Sequence, residues 1–179
     1  MNVAEIKFND IANGEGVRTS LFVSGCRHHC PECFNAMTWD FNYGREFTES
    51  DTEKIIEATT PSWVTGLSIL GGEPFEPENQ GPLIEFLEKF KCALPEKDIW
   101  CYSGFTFDEI TGVPSENGQT SRAFTENSAK LLGLIDVLVD GRFIKELKNI
   151  RLKFRGSENQ RVIDVKKTLR AGKIVLYLE

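Results

Sequence analysis

Short apolar runs alternate with helical patterns along most of the chain, and this alternation restricts the fold more than any other feature. Thr19-Ser20-Leu21-Phe22-Val23 reads as a strand. Thr48 and Asp51 have capping-box spacing ahead of a helix near 49–59, and Gly66-Leu67-Ser68-Ile69-Leu70 reads as a strand stopped by Gly71 and Gly72. Leu83, Ile84, Leu87, Phe90 and Leu94 share one helical face that Pro95 ends, and Ile99-Trp100-Cys101-Tyr102 is the next strand. Gly112, Pro114, Asn117 and Gly118 mark 112–121 as a loop. A helix over 126–135, a strand at Val137-Leu138-Val139, a basic helix from Lys166 to Lys173 and a strand from Ile174 to Leu178 follow. The order predicts an α/β fold with a mainly parallel sheet and right-handed crossover helices. Ligands of such sheets gather beyond the carboxyl ends of the strands.

Four motifs stand at those strand ends: the cysteines Cys26, Cys30 and Cys33, then Gly71-Gly72-Glu73-Pro74, then Tyr102-Ser103-Gly104, then Asp140-Gly141-Arg142. All four are predicted to line one rim. Three cysteines within eight residues can fold three thiolates onto one inorganic centre. Structural zinc closes its tetrahedron with four protein ligands, whereas a three-ligand site keeps a position open for chemistry. A 4Fe-4S cube held by three cysteines likewise leaves one iron exposed. Spacing alone leaves both metals open, because His28, His29, Cys92 or Cys101 would be available to complete a zinc site. Otherwise His28 and His29 read as exposed loop residues, and Cys92 and Cys101 as small core residues.

The charge balance narrows the partners. A net charge of -6 and a pI near 5.1 disfavour a general nucleic-acid footprint, which needs a basic face. The segment Met1 to Lys7 has no apolar signal region, and the most apolar stretch, Leu131 to Val139, is broken by Asp136, so no membrane association is expected. Five cysteines, three of them bunched, do not form a secreted disulfide framework and point to a reducing, cytoplasmic setting. With 179 residues and no repeat, low-complexity tract or linker, residues 1–179 read as a single domain.

Three cysteines separated by three and then two residues, with Gly-Gly-Glu-Pro after the next strand, resemble the radical S-adenosylmethionine family. Further blocks bring the resemblance closer to its small activases of anaerobic ribonucleotide reductases. These are Asn13-Gly14-Glu15-Gly16-Val17-Arg18, Phe22-Val23-Ser24-Gly25-Cys26, Lys97-Asp98-Ile99-Trp100, Asp136 to Phe143, and Arg155-Gly156-Ser157-Glu158-Asn159-Gln160. The resemblance implies a 4Fe-4S cluster on Cys26, Cys30 and Cys33 whose open iron chelates S-adenosylmethionine. One-electron cleavage, fed by an electron-donor protein, would give a 5'-deoxyadenosyl radical. That radical would take hydrogen from a glycine near the C-terminus of an anaerobic ribonucleoside-triphosphate reductase. The implied fold is an incomplete α/β barrel, since 179 residues cannot supply eight βα units of the usual size. Another small member of the family, such as a different glycyl-radical activase or a deazapurine synthase, shares the first two motifs. A zinc-binding interaction module is the alternative from a different class.

The resemblance also implies roles residue by residue, with no catalytic side chain beyond the cluster ligands. Gly71, Gly72, Glu73 and Pro74 meet the methionyl end of the cofactor, Glu73 offering a carboxylate to its ammonium group. Glu32 and Phe34 flank Cys33 near the adenine; many relatives carry glycine at the Glu32 position, which favours backbone over side chain there. Ser103, Asp140 and Arg142 are candidates to hydrogen-bond the ribose or the methionyl carboxylate. The 155–160 block faces either the cofactor or the reductase. Lys145, Lys148, Arg151, Lys153 and Arg161 form a local positive patch that reads as a solvated face or a partner-steering surface.

Overall fold

The computed structural model describes residues 1–178. Its strands are β1 (Asn2–Asp10), β2 (Val17–Val23), β3 (Arg45–Glu46), β4 (Val64–Gly71), β5 (Asp98–Tyr102), β6 (Val137–Asp140), β7 (Arg161–Asp164) and β8 (Leu176–Leu178). Its helices are α1 (Glu49–Thr59), α2 (Pro77–Ala93), α3 (Phe107–Ile110), α4 (Ser128–Leu134) and α5 (Val165–Ala171). All strands belong to one open sheet ordered β3-β1-β2-β4-β5-β6-β7-β8.

The α/β class agrees with the sequence, but parallel pairing is confined to the centre. β2, β4, β5 and β6 run parallel, while β1 and β3 on one flank and β7 and β8 on the other pair antiparallel. Connectivity explains the difference. β1 returns to β2 through a short turn containing Gly14 and Gly16, both at positive φ, and β6 reaches β7 without an α-helical crossover. Right-handed crossovers need a helix-length connection, which the central strands have, whereas α5 joins β7 to β8 without making that pair parallel.

Alternation along the strands sorts side chains between the two faces. Ile99 and Cys101 of β5 join Leu21, Val23, Leu67, Ile69 and Leu138 in the larger core. The buried stripe of α2, Leu83, Ile84, Phe86, Leu87 and Phe90, packs there too, and complete burial of each such side chain contributes about 1.5–3 kcal/mol. Trp100 and Tyr102 face the other way and meet Val137, Val139, Val162 and Phe154. Arg18 is buried on that second face. It donates to Ser68 Oγ at 2.7 Å, the Leu67 carbonyl at 2.9 Å and Asp98 Oδ1 at 2.5 Å, so its charge is paired where solvent is absent.

Helix α1 begins as its sequence predicts, the Asp51 carboxylate accepting the Thr48 N–H at 2.9 Å. Three strands escape the sequence pattern: β1, β3 and β7. No helix among the described residues is long and apolar enough to cross a membrane.

Candidate cluster and cofactor site

The carboxyl ends of β2, β4, β5 and β6 open into one cavity of about 640 Å³. Its wall includes Cys26, Cys30, Cys33, Gly71, Gly72, Glu73, Tyr102, Ser103, Gly104 and Gly141, so each of the four strand-end motifs contributes. The segment after β6 folds back over the second face and adds Phe143, Arg155, Gly156 and Gln160.

The cysteine loop is pinned at both ends. Gly25 sits at φ +97° with the Phe41 ring where a Cβ would lie, and its N–H donates to the Thr38 carbonyl at 2.8 Å. The Cys26 N–H donates to the Trp39 carbonyl at 3.1 Å, and the Cys33 N–H closes a turn onto the Cys30 carbonyl at 3.1 Å. Cys26 is buried, Cys30 and Cys33 half-buried. Burial pushes the Cys26 thiol up to about 12, against the pull of backbone N–H groups of His28 and His29 aimed at its sulfur. Burial also raises Cys30, whose sulfur faces the Phe143 N–H. A metal centre bound here would displace protons from these thiols, and the N–H donors would stabilise the thiolates.

This donor set fits an iron-sulfur cluster with three protein ligands. Three sulfurs, two of them with backbone N–H donors, share a cavity wall, and the same wall carries Tyr102 and Trp39, whose hydroxyl and indole N–H are buried without a partner. The residues that would complete a zinc site are engaged elsewhere. Cys101 is buried in the helix-side core, Cys92 is exposed on α2, His28 meets Glu73, and His29 stacks on Trp39 with ring centroids 4.5 Å apart. Among the described residues, no three His, Cys, Asp or Glu side chains converge closely enough to hold a single ion.

The glycines after β4 are required by contact. A Cβ on Gly71, at φ +110°, would lie 2.6 Å from the Val23 carbonyl oxygen, and one on Gly72 would lie 2.6 Å from that of Gly25. Glu73, 1% exposed, is not the free acceptor expected from the sequence. Its Oε1 accepts from the Phe75 N–H at 2.9 Å and the Ser103 hydroxyl at 2.8 Å. Its Oε2 accepts from the Gly104 N–H at 2.7 Å and lies 3.0 Å from His28 Nε2. Four partners fill the lone-pair sites of a carboxylate. His28, expected to be exposed, has a side chain only 2% exposed because this pairing draws it inward.

Other expected site residues fall into three groups. Pro74 and Asp140 are buried outside the cavity wall; Asp140 accepts from the Phe107 N–H at 2.7 Å and from Arg161 Nε at 3.0 Å, which occupies it structurally. Arg142 is exposed over a neighbouring cleft with Phe105 and Arg122. At the mouth, Glu32 is exposed at φ +58°, the backbone region that suits glycine, and reaches Lys145 at 2.6 Å. Phe34 stands 82% exposed and Ile150 91% exposed on that mouth. In the 155–160 block, Gln160 binds back to the Gly156 N–H at 2.8 Å and the Gly141 carbonyl at 2.9 Å, which sets Arg155 and Gly156 on the wall. Two members of the basic patch are already paired, Lys145 with Glu32 and Arg161 with Asp140. Cys92 is not a core residue: on α2 it lies about 200° around the axis from buried Phe90.

One site residue carried no signal in the sequence. Glu76 is buried, accepting from the Arg27 N–H at 2.9 Å, from Arg27 Nη1 at 2.7 Å and from Arg122 Nη2 at 2.9 Å. It anchors the residue beside the first cysteine.

Comparison with known proteins agrees with this chemistry. A family described as "4Fe-4S single cluster domain" matches residues 12–163. The anaerobic ribonucleoside-triphosphate reductase-activating protein of Escherichia coli (strain K12) is 37% identical over 153 residues, covering 84% of this chain and 90% of the relative. Its namesake from Haemophilus influenzae is 36% identical over 162 residues, covering 89% and 96%, and that of Enterobacteria phage T4 is 33% identical over 162 residues, covering 90% and 93%. The chain belongs to the anaerobic ribonucleoside-triphosphate reductase-activating protein family, whose members match it almost end to end around a 4Fe-4S single cluster domain.

Proposed function

We propose that the chain is an activase that uses a 4Fe-4S cluster and S-adenosylmethionine to install a glycyl radical near the C-terminus of an anaerobic ribonucleoside-triphosphate reductase. The observation that carries this reading is the convergence of Cys26, Cys30 and Cys33 with Gly71, Gly72 and Glu73 on one cavity wall. The names of the relatives supply the target. Cys26, Cys30 and Cys33 would hold the cluster, and Gly71, Gly72 and Glu73 beside them would hold the methionyl end of S-adenosylmethionine. Together the two groups supply a one-electron carbon-sulfur cleavage that ends in hydrogen abstraction from a glycine α-carbon.

The chain's own residues bind, orient and shield. Gly71 and Gly72 bring the backbone close to the methionyl end, and Glu73 gives that end a negative neighbour while its oxygens tie the surrounding loops. Tyr102 offers an unpaired hydroxyl inside the cavity, and Phe34 extends from the mouth as a surface for the adenine. The sheet, open and parallel at its centre, supports an incomplete barrel formed as a single radical S-adenosylmethionine domain over 1–179, which leaves the cluster side accessible to another polypeptide and to an electron-donor protein. Five free thiols suit a reducing cytoplasm.

Anaerobic reconstitution followed by iron, sulfide and zinc analysis tests the cluster; one zinc and no sulfide defeats the reading. The reduced protein with S-adenosylmethionine and the reductase is then expected to give a glycyl-radical electron paramagnetic resonance signal. Absence of that signal with an intact cluster defeats the target assignment.

A further inference from the structure

His28 lies inside the cysteine loop, two residues from Cys26 and two from Cys30, yet its ring turns onto Glu73 at 3.0 Å. We propose that His28 is a positioning residue, which through Glu73 locks the cysteine loop to the ends of β4 and β5 and so fixes the sulfurs before the cluster arrives. The proposal rests on the cluster reading only in its second measurement below.

Three features support it. First, Glu73 draws together three separate loops: its own through Phe75, the β5 loop through Ser103 and Gly104, and the cysteine loop through His28. Second, Glu73 receives donors from three sides: the Ser103 hydroxyl donates to its Oε1 at 2.8 Å, and the Phe75 and Gly104 N–H groups can only donate. With those donors in place His28 presents Nε2–H to the carboxylate, and its Nδ1 is buried without a partner. Third, the ring fits a made-to-measure slot. It meets Phe105 edge-on with centroids 4.3 Å apart, and a Cβ on Gly104 would lie 2.5 Å from its Cδ2. The neighbouring Arg27 holds Glu76 in parallel, so successive residues of the loop are tied to two carboxylates three residues apart.

The test compares His28→Gln, whose amide N–H reaches the carboxylate, with His28→Asn, which carries the same group one methylene short, each also in a Glu73→Gln background. Amide hydrogen exchange over residues 26–34 is read in the cluster-free protein, and iron release to a chelator in the reconstituted protein. A hydrogen bond to a charged group predicts that His28→Asn accelerates both by about tenfold or more, and that His28→Gln stays within about threefold of wild type. In the Glu73→Gln background the two substitutions should be indistinguishable. Wild-type exchange in His28→Asn, equal defects in Gln and Asn, or undiminished effects without the Glu73 carboxylate would each overturn the proposal. Because exchange needs neither cluster nor reductase, a failed radical assay and a failed positioning test are separable.

Discussion

Gly72 donates its N–H to the Val23 carbonyl at 2.7 Å, so the chain leaving β4 is sewn to the end of β2 three residues before the first cysteine. The next residue repeats the stitch, with the Glu73 N–H on the Gly25 carbonyl at 2.8 Å. Any side chain at Gly72 would drive these backbones apart. Gly72→Ala is expected to lower stability by about 1–3 kcal/mol, the usual range for overpacking, and to halve or worse the iron bound after reconstitution. Denaturant unfolding and iron analysis on the same sample check both.

Cys30→Ala should abolish stable cluster binding and turnover. Cys30 is half-buried at the cavity wall, so the cluster-free protein should unfold within about 1 kcal/mol of wild type. Retention of cluster and activity would remove Cys30 from the ligand set.

At the mouth, stability and function should separate. Glu32→Gly relieves a left-handed backbone and loses one exposed ion pair, and the midpoint of unfolding should stay level or rise. Phe34→Ser should leave folding unchanged within about 0.5 kcal/mol, because the ring is solvent-facing. If Phe34 stacks on the adenine, the KM for S-adenosylmethionine should rise by about 2–10-fold, the worth of one aromatic contact.

Arg161 keeps the buried Asp140 carboxylate neutralised at the β6–β7 junction. Arg161→Met should cost about 3 kcal/mol, since the charge left behind retains only the Phe107 N–H. Thermal unfolding at neutral pH measures it.

Asp51 supplies an acid-dependent increment. The Arg45 guanidinium, followed by the Thr48 contacts, holds its carboxyl well below the ordinary value of 3.8. A carboxyl depressed in the folded state stabilises above its unfolded pKa and loses that contribution as pH falls toward the folded value. Asp51→Asn should therefore cost about 1 kcal/mol at neutral pH, and the gap to wild type should shrink below pH 3.8. A constant gap would show that the charge is irrelevant.

The central strands and α1 were legible because local signals and tertiary environment agree there: Leu67 and Ile69 alternate inward, and Asp51 caps the helix from within three residues. β1 was not, since its flank position leaves Glu5, Lys7 and Phe8 at least partly exposed, and a strand with charges on it lacks the apolar signature. β7 is four residues long and bounded by Arg161 and Asp164. The sites divide in the same way. Sequence adjacency placed the cysteines and glycines on the wall, while the burial of His28 and Glu76 depends on partners 45 and 49 residues distant, which no local pattern encodes.

The sheet ends in two very short strands, β3 with two residues and β8 with three. β3 covers only Asn2 and Val3 of β1, so among the described residues β1 from Ala4 to Asp10 keeps an unpaired outer edge, which carries Glu5, Lys7 and Asp10 and is interrupted by register shifts. Charges and irregular register blunt that edge as a template for a ninth strand, and the β8 border is only three residues long. Loops and side chains at the cavity mouth are thus the surface on which a visiting polypeptide can be read one residue deep without being woven into the host.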